Sequence, residues 1–313
     1  MSSMAVLVTG GAGFIGSHVA DRLLAQGHRV RVVDNLSTGD ERNLAPIRDR
    51  IDFLLGDLTE PDVCRQATEG IEIVFHLAAL ASVPRSMEDP EASYQHNVAA
   101  TMGLILASRD AGVRRIVYSS SSSVYGDTEV LPKVESMEPL PRSPYAAYKL
   151  AGEQMILAFA RAGVLEGAAL RYFNVFGPRQ SPTSAYAAVV PIFMQAARDG
   201  TAAPIFGDGG QTRDFTYVDN VVSANLLAGF GPAERVNGTV CNVGAGDRTS
   251  LLDLVTLISE VSGRPLAVTH LPTRDGDVRD SLASMERAQD RLGYRVEVDL
   301  REGLRRTWDW FQG

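Results

Sequence analysis

Apolar runs and amphipathic stretches alternate along the first half of the chain. Residues 5–8 (Ala-Val-Leu-Val) form an uninterrupted apolar run, as a strand buried on both faces requires. Residues 17–27 follow with helical spacing and stop at Gly27. A second apolar run, 30–33, is followed by predicted strands at 51–55 and 71–77, a helix over 92–112 and a strand at 115–118. A long helix over 145–162 and a sixth strand at 167–172 complete the series. Strand and helix in strict turn predict an α/β fold with a doubly wound parallel sheet. Beyond it the spacing loosens and prolines gather at Pro178, Pro182, Pro191 and Pro204. A sheet domain is therefore expected over 1–175, with a returning segment near 213–243. Residues 176–313 are expected to form mainly a smaller second domain.

The junction between the first strand and helix carries the first chemistry. Residues 9–16 read Thr-Gly-Gly-Ala-Gly-Phe-Ile-Gly. Gly10 permits a tight turn, Gly13 allows a pyrophosphate to approach the backbone, and Gly16 lets helix and strand pack closely. The free N–H groups and dipole of the helix N-terminus then receive the phosphates. The second apolar run ends at Asp34, where a carboxylate can accept both hydroxyls of an adenosine ribose. The following Asn35-Leu-Ser-Thr-Gly39 offers no arginine for a 2′-phosphate, so NAD is expected rather than NADP. The sheet domain thus reads as a Rossmann-type NAD-binding domain, and the smaller one as a substrate-binding domain.

Composition narrows the partners. The chain has 313 residues, 45% hydrophobic and 22% charged, ordinary values for a globular enzyme. A net charge of −8 argues against a nucleic-acid surface, so an anionic ligand needs locally placed arginines. Cys64 and Cys241 give neither a disulfide framework nor metal-ligand spacing, and no metal is expected. The strand that begins almost at the first residue leaves no room for a signal peptide, and no apolar run suits a membrane. A cytoplasmic location is expected.

A serine run, 119–123, follows the fifth strand, where loops of such sheets face the ligand crevice. Tyr145 and Lys149 lie four residues apart, on one face of the long helix. A free phenol has a pKa near ~10, too high for a base at neutral pH. An adjacent ammonium and a cationic nicotinamide ring are both expected to lower it. Phenol, ammonium and hydroxyl beside a dinucleotide site point to hydride and proton transfer.

These motifs resemble the extended short-chain dehydrogenase/reductase superfamily. Besides the glycine turn and Tyr145-x-x-x-Lys149, the likeness includes Asp57-Leu58, Leu77-Ala-Ala79 and Val124-Tyr-Gly126. The stretch opening at Arg171 and closing at Pro178, with Gly207-Asp-Gly209 and Arg213-Asp-Phe-Thr-Tyr-Val-Asp219, narrows it to nucleotide-sugar 4-epimerases. The likeness runs from Val6 to about Trp310. It implies that Tyr145 is the acid/base, that Lys149 holds and polarises it, and that Ser121 bonds the sugar hydroxyl. Cofactor contacts are implied from Gly10, Gly13, Phe14, Ile15, Gly16, Asp34, Asn35, Ser37, Thr38 and Gly39. Asp57 and Leu58 would flank the adenine. Leu77, Ala78, Ala79, Ala81, Asn97, Tyr172 and Phe173, with Tyr145 and Lys149, would border the rest.

For the substrate, the resemblance implies Ser121, Tyr145, Asn174, Ala188, Val189 and the diphosphate-binding Arg213 and Arg274. Ser281 takes the position that limits room at the sugar C2 substituent, where a tyrosine excludes N-acetyl groups. With Ser82-Val-Pro-Arg-Ser86 and Ala185-Tyr-Ala-Ala-Val189, it points to UDP-N-acetylglucosamine and UDP-N-acetylgalactosamine, with the non-acetylated UDP-hexoses as further candidates. A homodimer through a four-helix bundle, from helices near 92–112 and 145–162, is also implied. Related 4,6-dehydratases carry Thr-Asp-Glu where this chain has Ser121-Ser122-Ser123, so the acids for water loss are absent. The alternatives are another nucleotide-sugar enzyme on this scaffold (a UDP-uronate epimerase, a decarboxylase or a reductase) and a non-catalytic NAD-sensing regulator. The regulator is disfavoured by the intact Tyr145 and Lys149.

Overall fold

The computed structural model describes residues 3–182, 188–273 and 279–312. Seven strands form its central sheet: β1 (Ala5–Thr9), β2 (Arg29–Asp34), β3 (Asp52–Leu55), β4 (Ile73–His76), β5 (Arg115–Ser121), β6 (Glu166–Tyr172) and β7 (Thr239–Val243). They pair in parallel throughout, in the order β3-β2-β1-β4-β5-β6-β7. This is the Rossmann-type arrangement. The winding reverses between β1 and β4, which opens a crevice at the carboxyl ends of those strands.

Burial on both faces explains the unbroken apolar runs. In β1, Val6 and Val8 join one core, while Ala5 and Leu7 join the other. Helix α1 (Phe14–Ala25) contributes Val19 and Leu23 to the first core, and α5 (Val218–Phe230) contributes Val221 and Val222. On the opposite face, α2 (Pro61–Thr68), α3 (Ala100–Asp110) and α4 (Pro144–Arg161) bury Cys64, Leu104, Ile105 and Ile156. Ser143 caps α4 by accepting the Ala146 N–H at 3.2 Å, and Pro144 opens its first turn.

Two elements depart from the sequence expectation. The continuous helix expected over 92–112 is a short helix (Pro90–Tyr94), a π-helical turn (Gln95–Ala99) and α3. At that turn the Asn97 amide donates to the carbonyls of Ser93 and Leu80, at 2.8 and 3.3 Å. The strand expected over 115–118 runs on to Ser121, because β6 pairs with Ser119, Ser120 and Ser121 in register.

The smaller part is built from residues far apart in sequence. Strand Ala203–Phe206 pairs in parallel with Val268–Leu271, and helices Val189–Asp199, Leu251–Ser262 and Leu300–Gln312 pack around them. Between the two strands the chain returns to the sheet as α5 and β7. Buried Asp214 holds this crossing: its carboxylate accepts the N–H groups of Ala245, Gly246 and Ala283 at 2.7, 3.1 and 3.0 Å. Among the described residues no helix is long and apolar enough to cross a membrane.

Candidate active site

The crevice predicted by the strand order is a cavity of about 560 Å³, within the range of small-molecule and cofactor sites. The β1–α1 turn forms its floor. Gly10 has φ +65°, and a Cβ there would lie 2.8 Å from the Ala78 backbone. A Cβ on Gly16 would lie 2.2 Å from the Gly10 carbonyl oxygen, so only glycine keeps helix and turn this close. No side chain caps the N-terminus of α1, which leaves its N–H groups facing the cavity.

At the far end Asp34 accepts the N–H groups of Ala12 and Leu36, at 2.9 and 2.8 Å. Burial holds its carboxyl above the ordinary value, and those two bonds offset only part of the rise. Asp57 accepts from the Thr59 N–H at 2.8 Å and from the Asn35 amide at 2.7 Å. The bonds hold it below the ordinary carboxylate value despite partial burial. His96 stands 3.7 Å from Asp57 and also lines the cavity; nothing in the local sequence marked it.

A buried chain of hydrogen bonds supports the middle of the cavity. Thr9 Oγ1 accepts the N–H groups of Leu77 and Ala78, both at 3.1 Å, and so fixes the loop after β4. Its own proton then goes to His76 Nδ1, 2.8 Å away. That assigns the Nε2–H tautomer, which donates to Thr101 Oγ1 at 3.0 Å; Thr101 in turn donates to the Asn97 carbonyl at 2.8 Å. Burial drives the His76 pKa down to about 3, so the ring stays neutral.

Tyr145 and Lys149 project from α4 into the cavity beside Ser119 through Ser122. Ser121 stands close enough to Tyr145 to lower its pKa, and Lys149 Nζ donates to the Ser119 carbonyl at 2.7 Å. The lowering expected for Tyr145 depends in part on the bound nicotinamide ring. In the protein alone the Tyr145 pKa is not lowered: burial pushes it up to about 12, and Ser121 offsets only part of that. The same burial brings Lys149 down to about 7. Desolvation disfavours the charged form of either group.

A second cavity of about 250 Å³ adjoins the first and shares Asn174, Val175 and Ala188 with it. Val189, Arg213, Phe206 and Phe215 also line it. Arg213 Nη1 is braced by the carbonyls of Thr212 and Arg279, at 2.9 and 3.0 Å. Phe206, Phe215 and Gln211 were not foreseen, because they come together only through the fold.

The structure brings most of the expected residues to the first cavity, from Gly10 in the floor to Tyr172 and Asn174 at the end nearest its neighbour. Asn97 and Phe173 sit behind the wall, almost wholly buried. Ser281 is 9% exposed and donates its N–H to the Thr212 carbonyl at 3.1 Å, beside Arg213 but off both cavity linings. Arg274 and residues 185–187 lie outside the described residues.

Comparison with known proteins agrees with this geometry. A model of the NAD dependent epimerase/dehydratase family matches residues 6–244. The UDP-glucose 4-epimerase of Mycolicibacterium smegmatis is 43% identical over 99% of both chains. The structure is similar to a UDP-N-acetylglucosamine 4-epimerase from Methanobrevibacter ruminantium (TM-score 0.93, 40% identity, 100% of this chain and 99% of that one). It is equally similar to a UDP-glucose 4-epimerase from Thermotoga maritima solved with UDP-glucose (TM-score 0.93, 39% identity, 99% of each chain). The chain belongs to the NAD dependent epimerase/dehydratase family. Its cofactor is NAD, and the side-chain-free turn at Gly10, Gly13 and Gly16, with the Asp34 carboxylate, fits that group.

Proposed function

We propose that this chain is a 4-epimerase of UDP-hexoses that interconverts gluco and galacto forms and accepts the N-acetylated sugars as well as UDP-glucose and UDP-galactose. One observation carries the reading. Ser121, Tyr145 and Lys149 stand in the dinucleotide cavity, which joins the Arg213 cavity through Asn174, Val175 and Ala188. A sugar at that junction has the acid/base on one side and its diphosphate near Arg213 on the other. NAD held at the Gly10–Gly16 turn and Asp34 would supply the hydride acceptor and donor that chemistry at C4 needs. Tyr145 removes the C4 hydroxyl proton, guided by Ser121, while Lys149 supplies the positive charge that a phenolate needs. The resulting 4-keto sugar turns about its diphosphate linkage, and Tyr145 returns the proton on the other face. Serines rather than acids stand at 122 and 123, where related dehydratases carry the acids that drive water loss.

The sugar preference rests on Ser281, a small residue at the position where a tyrosine excludes N-acetyl groups in related 4-epimerases. Pairing of two chains through α3, α4 and the segments before α3 belongs to the same proposal. Met87, Tyr94 and Leu106 on those segments are 63%, 45% and 37% exposed. A reducing cytoplasm suits the two free buried thiols, Cys64 and Cys241. The test is NMR of the purified protein with UDP-N-acetylglucosamine and, separately, UDP-glucose, without added NAD. The galacto epimers should form at unchanged mass. Unchanged sugars even after NAD is supplied would overturn the assignment.

A further inference from the structure

Helix α4 meets the end of β5 at three successive serines, and one of those meetings has no place in the chemistry above. Ser121 stands beside Tyr145, and the Ser119 carbonyl accepts from Lys149 at 2.7 Å. Ser120 Oγ donates instead to Glu153 Oε2, at 2.8 Å. Tyr145, Lys149 and Glu153 follow each other at intervals of four residues and share one face of α4.

Glu153 is fully buried, so its charge must be answered locally. Arg171 on β6 answers it with a fork: Nε to Oε2 at 2.9 Å and Nη2 to Oε1 at 2.7 Å. Arg171 is the register partner of Ser120 across the β5–β6 ladder, so hydroxyl and guanidinium reach the carboxylate from neighbouring strands. The guanidinium also lies 4.8 Å over the Tyr125 ring, and the Tyr125 hydroxyl donates to Asn242 on β7 at 2.7 Å. One carboxylate thus ties the helix bearing the acid/base to β5 and β6, and through Tyr125 to β7.

A buried ion pair is a poor way to gain stability, since apolar side chains of similar volume commonly do as well. What this pair does provide is direction. Sliding α4 along β5 would break the Ser120–Glu153 bond together with the contacts that aim Tyr145 and Lys149. We propose that Glu153, held by Arg171 and Ser120, is a positioning residue that sets Tyr145 and Lys149 at the reacting hydroxyl. This rests on the acid/base role given to Tyr145 above.

The variant Glu153→Gln keeps the shape and removes the charge. Its kcat should fall roughly 30-fold, as expected for a catalytic group displaced by a fraction of an ångström, with UDP-sugar KM and co-purified NAD within about threefold. If that variant does not fold, the pair E153M/R171M removes both charges together and should fold. Its kcat should still be at least about tenfold low, because Ser120 has lost its acceptor. A kcat within about twofold of the parent in either folded variant overturns the proposal.

A second readout needs no turnover. Subtracting the ultraviolet tyrosinate titration of Tyr145→Phe from that of the parent isolates Tyr145. The groups facing this face of the helix are His76 on β4, Tyr118 on β5, and Arg171 and Tyr172 on β6. With those unchanged, Glu153→Gln should move the Tyr145 midpoint by about one pH unit. An unmoved midpoint overturns the clamp. Absence of UDP-hexose turnover in the parent would sink the proposed function instead and leave this titration to judge the clamp.

Discussion

The two cavities are built by different means. The dinucleotide cavity rests on main chain from near neighbours in sequence: Gly10, Gly13 and Gly16 in one turn, with Asp34 held by two N–H groups. The cavity beside it is walled by side chains gathered from Asn174 to Leu251, including Phe193, Phe206, Arg213 and Phe215. A backbone cradle admits almost no substitution, because any Cβ meets atoms that cannot swing away. A wall of side chains can change one residue at a time. On the proposed function, the first cavity therefore holds the cofactor, while the second is where substrate choice would vary.

The sharpest way to break this contrast is a single methyl group in the cradle. At Gly16 an alanine Cβ would stand 2.2 Å from the Gly10 carbonyl oxygen, and both backbone segments must move apart to admit it. Gly16→Ala should lose its co-purified NAD, read from the ultraviolet absorbance ratio, and fall below detectable turnover. Retention of NAD at the parent level would show that the cradle is as forgiving as the other cavity. Next in size is Tyr145→Phe. It keeps the ring and removes the proton carrier, so kcat should fall about 10²–10⁴-fold with NAD still bound. Undiminished activity would end the acid/base assignment.

The same contrast explains what was legible in the sequence. The β1–α1 turn and Asp34 could be read because each role is played by consecutive residues whose conformations the glycines dictate. Tyr145 and Lys149 could be read because helical spacing alone puts them on one face. The strand through Ser119, Ser120 and Ser121 could not, since serine gives no apolar signal and only the ladder to β6 holds it extended. The π-helical turn at Gln95–Ala99 stayed hidden because Asn97 reaches the Leu80 carbonyl across a chain reversal. Phe206 and Phe215 become neighbours of Asn174 only after the return of α5 and β7 to the sheet, which no local pattern encodes. The upward push of burial on Tyr145 stayed hidden for a related reason: spacing reveals a neighbouring charge, but burial is a property of the fold.

A bulky residue at 281 sharpens the comparison from the substrate side. Ser281→Tyr should slow turnover of UDP-N-acetylglucosamine about 10–100-fold while leaving UDP-glucose within about threefold, the scale of discrimination a filled pocket provides. Co-purified NAD should be unaffected, since Ser281 lies beside Arg213 and off the dinucleotide cavity. Equal loss on both sugars would mean that Ser281 does not face the C2 substituent.

The smallest effect expected is a pH dependence set by Lys149 in the first cavity. With Lys149 brought down to about 7 and Tyr145 raised to about 12, the empty site has lost one proton above about pH 7 and keeps the other up to about 12. On the proposed mechanism that vacancy would accept the C4 hydroxyl proton, resting on the phenol once ligands favour Tyr145 phenolate beside Lys149 ammonium. Activity should thus rise through pH 7 and level off, falling about tenfold per unit on the acid side. Stability follows the same group with a definite sign. A lysine whose folded pKa lies below its ordinary 10.5 binds its proton less well in the folded chain, so stability rises as pH climbs from about 7 toward 10. Comparing thermal midpoints of the parent and Lys149→Met across that interval isolates the effect. The parent should gain on the variant as pH rises, and parallel midpoints would show that Lys149 is not held against its charge.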